Sequence, residues 1–152
     1  MTTNHRIQLT VEIAAPVARV FAVMLDPAHY RDWTSAFDNG SHYEGTWKQG
    51  EQIRFLSSTG SGLLSEVVEH RPNEFTSLRH LGWIGIDATD PASGVTSNWL
   101  PAIENYTFHA TPTGTRIVID QDVADDFEQY LRDTWPKALA RLKEICEAGA
   151  KS

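Results

Sequence analysis

The chain begins with a strict alternation of apolar and polar residues. Four apolar residues occupy every second position over 7–13, and this period of two is typical of a strand with one buried face. Ala15-Pro16 then predicts the start of a helix, because the missing N–H of proline costs nothing at the first helical position. Asp26-Pro27 predicts the end of that helix and the start of a second short one that runs to Phe37. The sequence therefore predicts one strand followed by two linked helices.

Short apolar runs separated by Gly, Pro and Asn dominate the middle of the chain. The predicted strands are His42–Trp47, Gln52–Ser57, Gly62–His70, Glu74–Trp83, Ala102–Ala110 and Thr115–Asp122. The turns between neighbouring runs are mostly of hairpin length, so the strands should pair antiparallel. The exception is the long connection over 84–101, which is polar but carries embedded apolar residues. Such long connections are usually functional lids or disordered, and the apolar residues favour a segment that folds back onto the body.

The last part of the chain has the pattern of one long helix, from about Asp125 to Ala148. Apolar residues recur every three or four positions, and acidic residues precede basic ones as the helix dipole prefers. Pro136 lies inside this pattern, where it should cost about 3 kcal/mol and either kink the helix or mark its true start. Together these elements predict an α+β fold: a seven-stranded antiparallel sheet curled around a long C-terminal helix, with two short helices after strand one.

Composition limits the classes of protein. The chain has 152 residues, of which 41% are hydrophobic and 22% charged, without a linker-like break, so residues 1–152 are expected to form one domain. The formal charge of −7 argues against nucleic-acid binding. The most apolar stretch, 14–25, is interrupted by Pro16 and Arg19 and is too short for a membrane span. Cys146 is the single cysteine, which with the absence of a secretory signal favours a cytoplasmic location.

The sequence carries few motifs that indicate a particular catalytic or binding chemistry. The sequence contains no nucleophile elbow, phosphate-binding glycine loop, dinucleotide fingerprint or His-Glu-x-x-His motif. The six histidines are scattered without metal-ligand spacing, so no metal and no cofactor are expected. Cys146 is interpreted as a small buried side chain rather than a nucleophile.

Several segments resemble a known superfamily. They are Ala15-Pro16-Val17-Ala18-Arg19-Val20-Phe21, Asp26-Pro27 leading to Trp33, Gly45-Thr46-Trp47-Lys48-Gln49-Gly50 with Ile53-Arg54-Phe55, Val67-Val68-Glu69 ahead of Pro72, Tyr106-Thr107-Phe108 with Gly114-Thr115-Arg116-Ile117, and Trp135 with Ala138-Leu139-Ala140-Arg141-Leu142-Lys143. In order and spacing these resemble the START-like (SRPBCC) superfamily, in particular the homologues of the activator of heat-shock-protein ATPase. The resemblance implies a helix-grip fold. Because this scaffold hosts carriers, polyketide cyclases and co-chaperones, the fold does not decide the function.

Strand parity suggests one polar pair inside the predicted sheet. Tyr106 shares a face with Glu104, and Leu78 shares its face with His80 and Gly82. His80 and Glu104 could therefore meet in a cavity, where they would orient a ligand or act on it as acid and base. The alternative is a hydrogen-bonded pair at the solvent edge of the sheet.

Aromatic residues supply the remaining candidates, since large rings with polar tips suit a half-wet pocket wall. The candidate ligand-binding residues are His80, Glu104, Trp83, Trp99, Tyr106, Trp33, Phe55, Tyr130 and Trp135. Trp83 and Trp99 bracket the long connection and are assigned either to the cavity mouth or to surface packing, whereas Trp47 and Trp135 also fit a plain core role.

The sequence is compatible with three functions. The superfamily resemblance implies binding of a small hydrophobic molecule such as a lipid, polyketide or aromatic metabolite. The alternatives are a cyclase, dehydratase or hydrolase acting on such a molecule, and a chaperone partner like that of the ATPase activators. A homodimer is compatible with each of them.

Overall fold

The computed structural model describes residues 4–86 and 100–150. The strands are β1 (Asn4–Ile13), β2 (His42–Gly45), β3 (Gln52–Leu56), β4 (Gly62–Arg71), β5 (Phe75–Ile84), β6 (Ala102–Thr111) and β7 (Gly114–Ala124). The helices are α1 (Val17–Leu25), α2 (Pro27–Trp33) and α3 (Asp125–Ala150), and a short 3-10 helix (Thr34–Ala36) follows α2. The predicted order of elements is confirmed.

All seven strands belong to one antiparallel sheet, in the order β1-β7-β6-β5-β4-β3-β2. Consecutive strands from β2 to β7 pair antiparallel with one another, and β1 closes the far side by pairing with β7. The alternation predicted for β1 is present, with Ile7 and Ile13 buried and the polar residues between them exposed or partly exposed. The fold is α+β helix-grip, as the sequence indicated.

The two short helices follow directly from local sequence signals. Pro16 lies at the N-cap of α1, and Pro27 is the first residue of α2, where a free N–H would have no helical partner. The Asp26 carboxylate caps α2 by accepting hydrogen bonds from the backbone N–H groups of Ala28 and His29, both at 3.1 Å. These signals fix where the two helices begin, and α2 and the 3-10 helix then pack against α3.

The long helix α3 supplies one side of the core. It packs against β1, β7, α1, α2 and the 3-10 helix. Ala138, Leu142 and Cys146 are completely buried, at the spacing of one helical face. Of the two possibilities for Pro136, the structure has the helix running through it from Asp125 to Ala150. No helix among residues 4–86 and 100–150 has the length and apolar character needed to cross a membrane.

Two β-bulges interrupt the pairing of β4 with β5. The register shifts between Leu64 and Ser65, which leaves Leu81 as an extra residue, and between Val67 and Glu69, which leaves Val68 extra. Leu81 and Val68 are also two of the exposed large hydrophobic residues. Each exposed aliphatic side chain on this hairpin thus belongs to an unpaired bulge residue rather than to an apolar face.

The bulge at Leu81 corrects one prediction from strand parity. Gly82 pairs with Leu64, and both line a shallow depression on the face opposite to the core. Gly82 therefore does not share a face with Leu78 and His80, because one extra residue reverses the alternation. The same shift pairs Trp83 with Leu63, and Trp83 also lines this depression.

Candidate ligand pocket

A pocket of about 220 Å³ lies between the inner face of the sheet and the N-terminal half of α3, next to α2 and the 3-10 helix. Its wall is made of aromatic rings, two aliphatic side chains and a small set of polar groups. The lining residues are Tyr30, Trp33, Thr34, Phe37, Ser41, Phe55, Leu63, His80, Glu104, Tyr106, Gln121, Leu131 and Trp135.

Sheet register explains why distant residues meet in this wall. Phe55 pairs with Leu63 across β3 and β4, so both side chains fall on the inner face. On the other side, Glu104 pairs with Gln121 across β6 and β7. Helix α3 then places Leu131 and Trp135, one turn apart, over this part of the sheet.

Trp135 organises the aromatic part of the wall. Its ring stacks on Trp33 with centroids 6.1 Å apart and meets Phe37 edge-on at 5.1 Å. The indole Nε1 donates a hydrogen bond of 2.7 Å to Oε1 of Gln121, which fixes the ring in a buried position. Tyr106 packs at 6.3 Å from the same ring. The ring of Trp135 therefore fills part of the space under the sheet and borders the space that remains.

A chain of polar side chains crosses the inner face from β4 to β6. Nδ1 of His80 lies 2.7 Å from Oγ of Ser65, and Nε2 of His80 lies 3.0 Å from Oε1 of Glu104. The hydroxyl of Tyr106 donates to the second carboxylate oxygen of Glu104. In a neutral His80, the ionised carboxylate can only accept, so Nε2 carries the proton and Ser65 donates to Nδ1. His80 is 3% exposed and Glu104 13% exposed at their side chains.

This arrangement differs from a Ser-His-acid catalytic triad in two respects. In such a triad the carboxylate holds Nδ1 and the serine faces Nε2, whereas here the two partners are exchanged. Ser65 is also completely buried and does not line the pocket. Ser65 can therefore orient His80, but its hydroxyl does not face the space that a substrate would occupy.

The electrostatics of the pocket are set by Glu104 and the phenols around it. Burial raises the pKa of Tyr30 far above its usual range, and the negative charge of Glu104 raises it further. Burial also raises the pKa of Tyr43, which packs edge-on against Tyr30 with centroids 5.0 Å apart. Both phenols stay protonated at neutral pH and act as neutral hydrogen-bonding groups.

The structure brings most of the predicted site residues together. Trp33, Phe55, His80, Glu104, Tyr106 and Trp135 all line the pocket. Tyr130 does not line it; this side chain is 48% exposed, and its hydroxyl donates to the carbonyl oxygen of Phe37 at 3.2 Å. Trp83 pairs with Leu63 but lines the depression beside Gly82 rather than the pocket. Trp99 lies outside the described residues. The binding role of all nine stays a prediction.

Several lining residues were not among the sequence-predicted candidates. Tyr30, Thr34 and Phe37 come from α2 and the turn after it, and Leu131 belongs to α3. Leu131 is part of the apolar repeat of α3, which could have indicated it. The residues near α2 carry no comparable signal, because their position depends on how the helix pair packs across the sheet edge.

One group of potential metal ligands lies away from the pocket. His5 contacts Asp125 at 2.9 Å through Nδ1 and Glu128 at 2.6 Å through Nε2. Arg132 also bonds to Glu128, at 2.6 Å. These partly exposed side chains form an ion-pair network that joins β1 to the first turns of α3.

The family follows from a comparison of the sequence with known families. A family described as polyketide cyclase / dehydrase and lipid transport matches residues 4–149. The chain belongs to this family. The match confirms the START-like (SRPBCC) assignment, and it spans both the sheet and the long helix that enclose the pocket. Among curated proteins, no sequence matches the chain.

Solved structures agree with the polyketide cyclase / dehydrase assignment at the level of the fold. MLL2253 from Mesorhizobium loti is 19% identical with a TM-score of 0.72, over 93% of this chain and 96% of that one. DynU16, a protein from the dynemicin biosynthetic locus, is 18% identical with a TM-score of 0.72, over 95% of this chain but 48% of its own length. The Aha1 dimer from Colwellia psychrerythraea is 18% identical with a TM-score of 0.66, over 98% of each chain.

Proposed function

We propose that the protein binds a small hydrophobic molecule in the pocket between the sheet and α3. The observation that carries this proposal is a wall of six aromatic rings with a few polar groups, among them the hydrogen-bonded pair of His80 and Glu104. Small-molecule sites are mostly apolar with a few placed polar groups that fix orientation. Membership in a family described by cyclase, dehydrase and lipid transport supports the same class of ligand.

The volume of the pocket limits the size of the ligand. An apolar cavity of about 150 Å³ holds a benzene molecule, and drug-sized ligands occupy about 300–1,000 Å³. The pocket of about 220 Å³ lies between these values. A ligand of one or two fused rings fits this space, whereas a long acyl chain would need Trp135 or Leu131 to move.

A filled-pocket variant tests the proposal. Leu131 lines the pocket from α3, so Leu131→Trp should occupy the space that a ligand would enter. The matched control is Leu81→Trp, at an exposed bulge on β5 outside the pocket. Displacement of a hydrophobic fluorescent dye by naphthalene-sized aromatics should be lost in Leu131→Trp and retained in Leu81→Trp. Equal dye binding in both folded variants would contradict the proposal.

A second candidate function is acid-base catalysis on the bound molecule. The geometry that favours it is the contact between His80 and Glu104 in the pocket wall, since a hydrogen-bonded histidine can move a proton at neutral pH. Cyclisation or dehydration of a polyketide-like ligand requires such proton transfers. The family, polyketide cyclase / dehydrase and lipid transport, is named for both activities.

Turnover measurements separate carrier from enzyme. Once a ligand is found, the wild-type protein and His80→Gln should be incubated with it and the mixture followed by mass spectrometry. Loss of a product in His80→Gln with ligand affinity retained would support catalysis. An unchanged ligand in both samples would leave the protein a carrier.

We place this role in the cytoplasm and in one domain over residues 1–152. The single cysteine supports a reducing compartment: Cys146 is buried and forms no disulfide. Fractionation of cells that express a tagged chain tests the location, and limited proteolysis that releases two stable fragments would contradict the single domain.

A further inference from the structure

The polar part of the pocket wall is electrostatically one-sided. The charged groups that line it are Glu104 and, when protonated, His80. Among the described residues that line the pocket, none is lysine or arginine. With His80 neutral the pair carries one negative charge, and with His80 protonated it is neutral overall. The described wall therefore carries no net positive charge while Glu104 is ionised.

The carboxylate of Glu104 has capacity for a further donor. An ionised carboxylate offers about four lone-pair sites on its two oxygens. His80 occupies one site on Oε1, and the hydroxyl of Tyr106 occupies one on the other oxygen. About two sites remain for a group that enters the pocket, and hydrogen bonds to a charged acceptor are roughly twice as strong as neutral ones.

The aromatic rings of the wall also favour a positively charged ligand. Aromatic rings carry negative potential on their faces and attract cations within about 6 Å of the ring centre. The lining contains Tyr30, Trp33, Phe37, Phe55, Tyr106 and Trp135. A cation near Glu104 would also be attracted by those rings that present their faces to the pocket.

From this wall we infer the class of ligand: a small organic cation, an amine attached to one or two rings, whose ammonium group binds Glu104 while its rings pack against Trp135 and Phe55. This inference rests on the proposed binding function. Its physical basis is the combination of an anionic acceptor with unused lone pairs, an aromatic enclosure and a described lining without a basic side chain.

The same wall disfavours carboxylate ligands. An acid bound with its carboxylate near Glu104 would bring two negative charges together in a partly desolvated space. Burying a charge without an opposite partner is costly, and the described lining offers only His80, which already bonds to Glu104. A fatty acid or aromatic acid is therefore expected to bind more weakly than an uncharged molecule of the same shape.

The test uses three ligands of one shape and different charge. Naphthylmethylamine, naphthalenemethanol and naphthoate are titrated into the full-length protein by isothermal calorimetry at pH 7 and low salt. The amine should bind at least about tenfold more tightly than the alcohol, a ratio that corresponds to about 1.4 kcal/mol. The naphthoate should bind more weakly than the alcohol.

A charge variant then assigns the preference to one residue. Glu104→Gln should remove most of the tenfold advantage of the amine, keep the affinity for the alcohol within about threefold, and increase the relative affinity for naphthoate. The matched control is Glu74→Gln, at an exposed position in the turn between β4 and β5, which should leave all three affinities unchanged. A purely structural role of Glu104 would instead weaken all three ligands together.

The outcomes separate this inference from the proposed function. If the alcohol or the naphthoate binds as tightly as the amine, the inference is wrong while ligand binding in the pocket stands. If no naphthalene ligand binds and Leu131→Trp behaves like the wild-type protein toward the dye, the proposed function is wrong and the inference fails with it.

Discussion

The two halves of α3 cover the same sheet with different kinds of packing. Toward the C-terminus, the small and aliphatic side chains of Ala138, Leu142 and Cys146 are fully buried in the hydrophobic core. Toward the N-terminus, Trp135 and Leu131 border the pocket, and Phe127 and Tyr130 are exposed. One end is closely packed, and the other leaves about 220 Å³ open.

The shape of the side chains explains this difference. Aliphatic groups on a helix interdigitate with a sheet and leave few voids. Rings that meet edge-on, such as Phe37 and Trp135, leave gaps at their corners, and buried polar groups such as His80 require fixed partners rather than close packing. The closely packed half should therefore determine stability, and the aromatic half should determine binding.

The largest effect is expected from truncation in the closely packed half. Leu142→Ala should lower the free energy of unfolding by ~2–5 kcal/mol, because a fully buried leucine leaves a cavity. Leu131→Ala should cost about 1 kcal/mol, since this half-buried side chain already faces open space. Denaturant unfolding followed by circular dichroism measures both.

The pair of truncations also tests the division between stability and binding. Leu131→Ala should change ligand affinity more than stability, and Leu142→Ala should do the reverse as long as the variant remains folded. Equal losses of stability at the two positions would show that the two halves do not differ in packing.

The next effect concerns the hydrogen bond that fixes Trp135. Trp135→Phe removes the donor to Gln121 and should lower the free energy of unfolding by roughly 1–3 kcal/mol, because a buried acceptor loses its partner. The double variant Trp135→Phe with Gln121→Leu should recover part of this loss, since both polar groups are then absent. Thermal unfolding of the wild-type protein, Trp135→Phe and the double variant measures this recovery. A double variant that is no more stable than Trp135→Phe would assign the loss of stability to ring packing alone.

Local sequence patterns predicted the closely packed half better than the pocket. The alternation in β1 and the spacing of Leu142 and Cys146 on α3 depend only on neighbouring residues, and both are present. The approach of His80 to Glu104 also followed from parity, because these residues lie on adjacent strands. The same alternation gave the wrong face for Gly82. The bulge at Leu81, which reverses the alternation after His80, depends on how β4 and β5 align.

The remaining parts of the pocket depend on contacts between distant segments. Ser65 bonds to His80 only through the cross-strand register, and Tyr30 reaches the wall only through the packing of α2. A period of two or of 3.6 residues does not encode such relations. Which residues line the pocket could therefore be known only from the tertiary structure. The approach of His80 to Glu104, in contrast, could be predicted from the sequence.

A smaller effect is expected at Ser65, a fully buried residue of β4 that bonds to His80 in the pocket wall. Ser65→Ala should lower the free energy of unfolding by ~1 kcal/mol, the net value of a typical hydrogen bond. Ligand affinity should change by less than about threefold, because Ser65 does not line the pocket. Nitrogen chemical shifts of His80 should change, because Nδ1 loses its hydrogen-bond partner. A variant that keeps the wild-type shifts would contradict an orienting role for Ser65.

The smallest effect tests how tightly the C-terminal half of α3 is closed. Burial raises the pKa of the Cys146 thiol to about 11, from an ordinary value of 9.0. Well below pH 9 both the folded and the unfolded chain hold the thiol proton, and the unfolded chain begins to release it as the pH approaches 9. Between about pH 9 and 11 the unfolded chain releases it while the folded chain keeps it, so the free energy of unfolding falls as the pH rises.

From pH 8 to pH 9 the loss should be about 0.3 kcal/mol relative to Cys146→Ala, which lacks the titrating group but otherwise keeps a small apolar side chain. A thiol reagent at pH 8 should correspondingly label the wild-type protein only as fast as the chain opens, because the folded thiol is buried and protonated. Addition of denaturant should make labelling immediate. Rapid labelling of the folded protein would mean that the C-terminal half of α3 opens easily. It would contradict the proposed difference in packing between the two halves of α3.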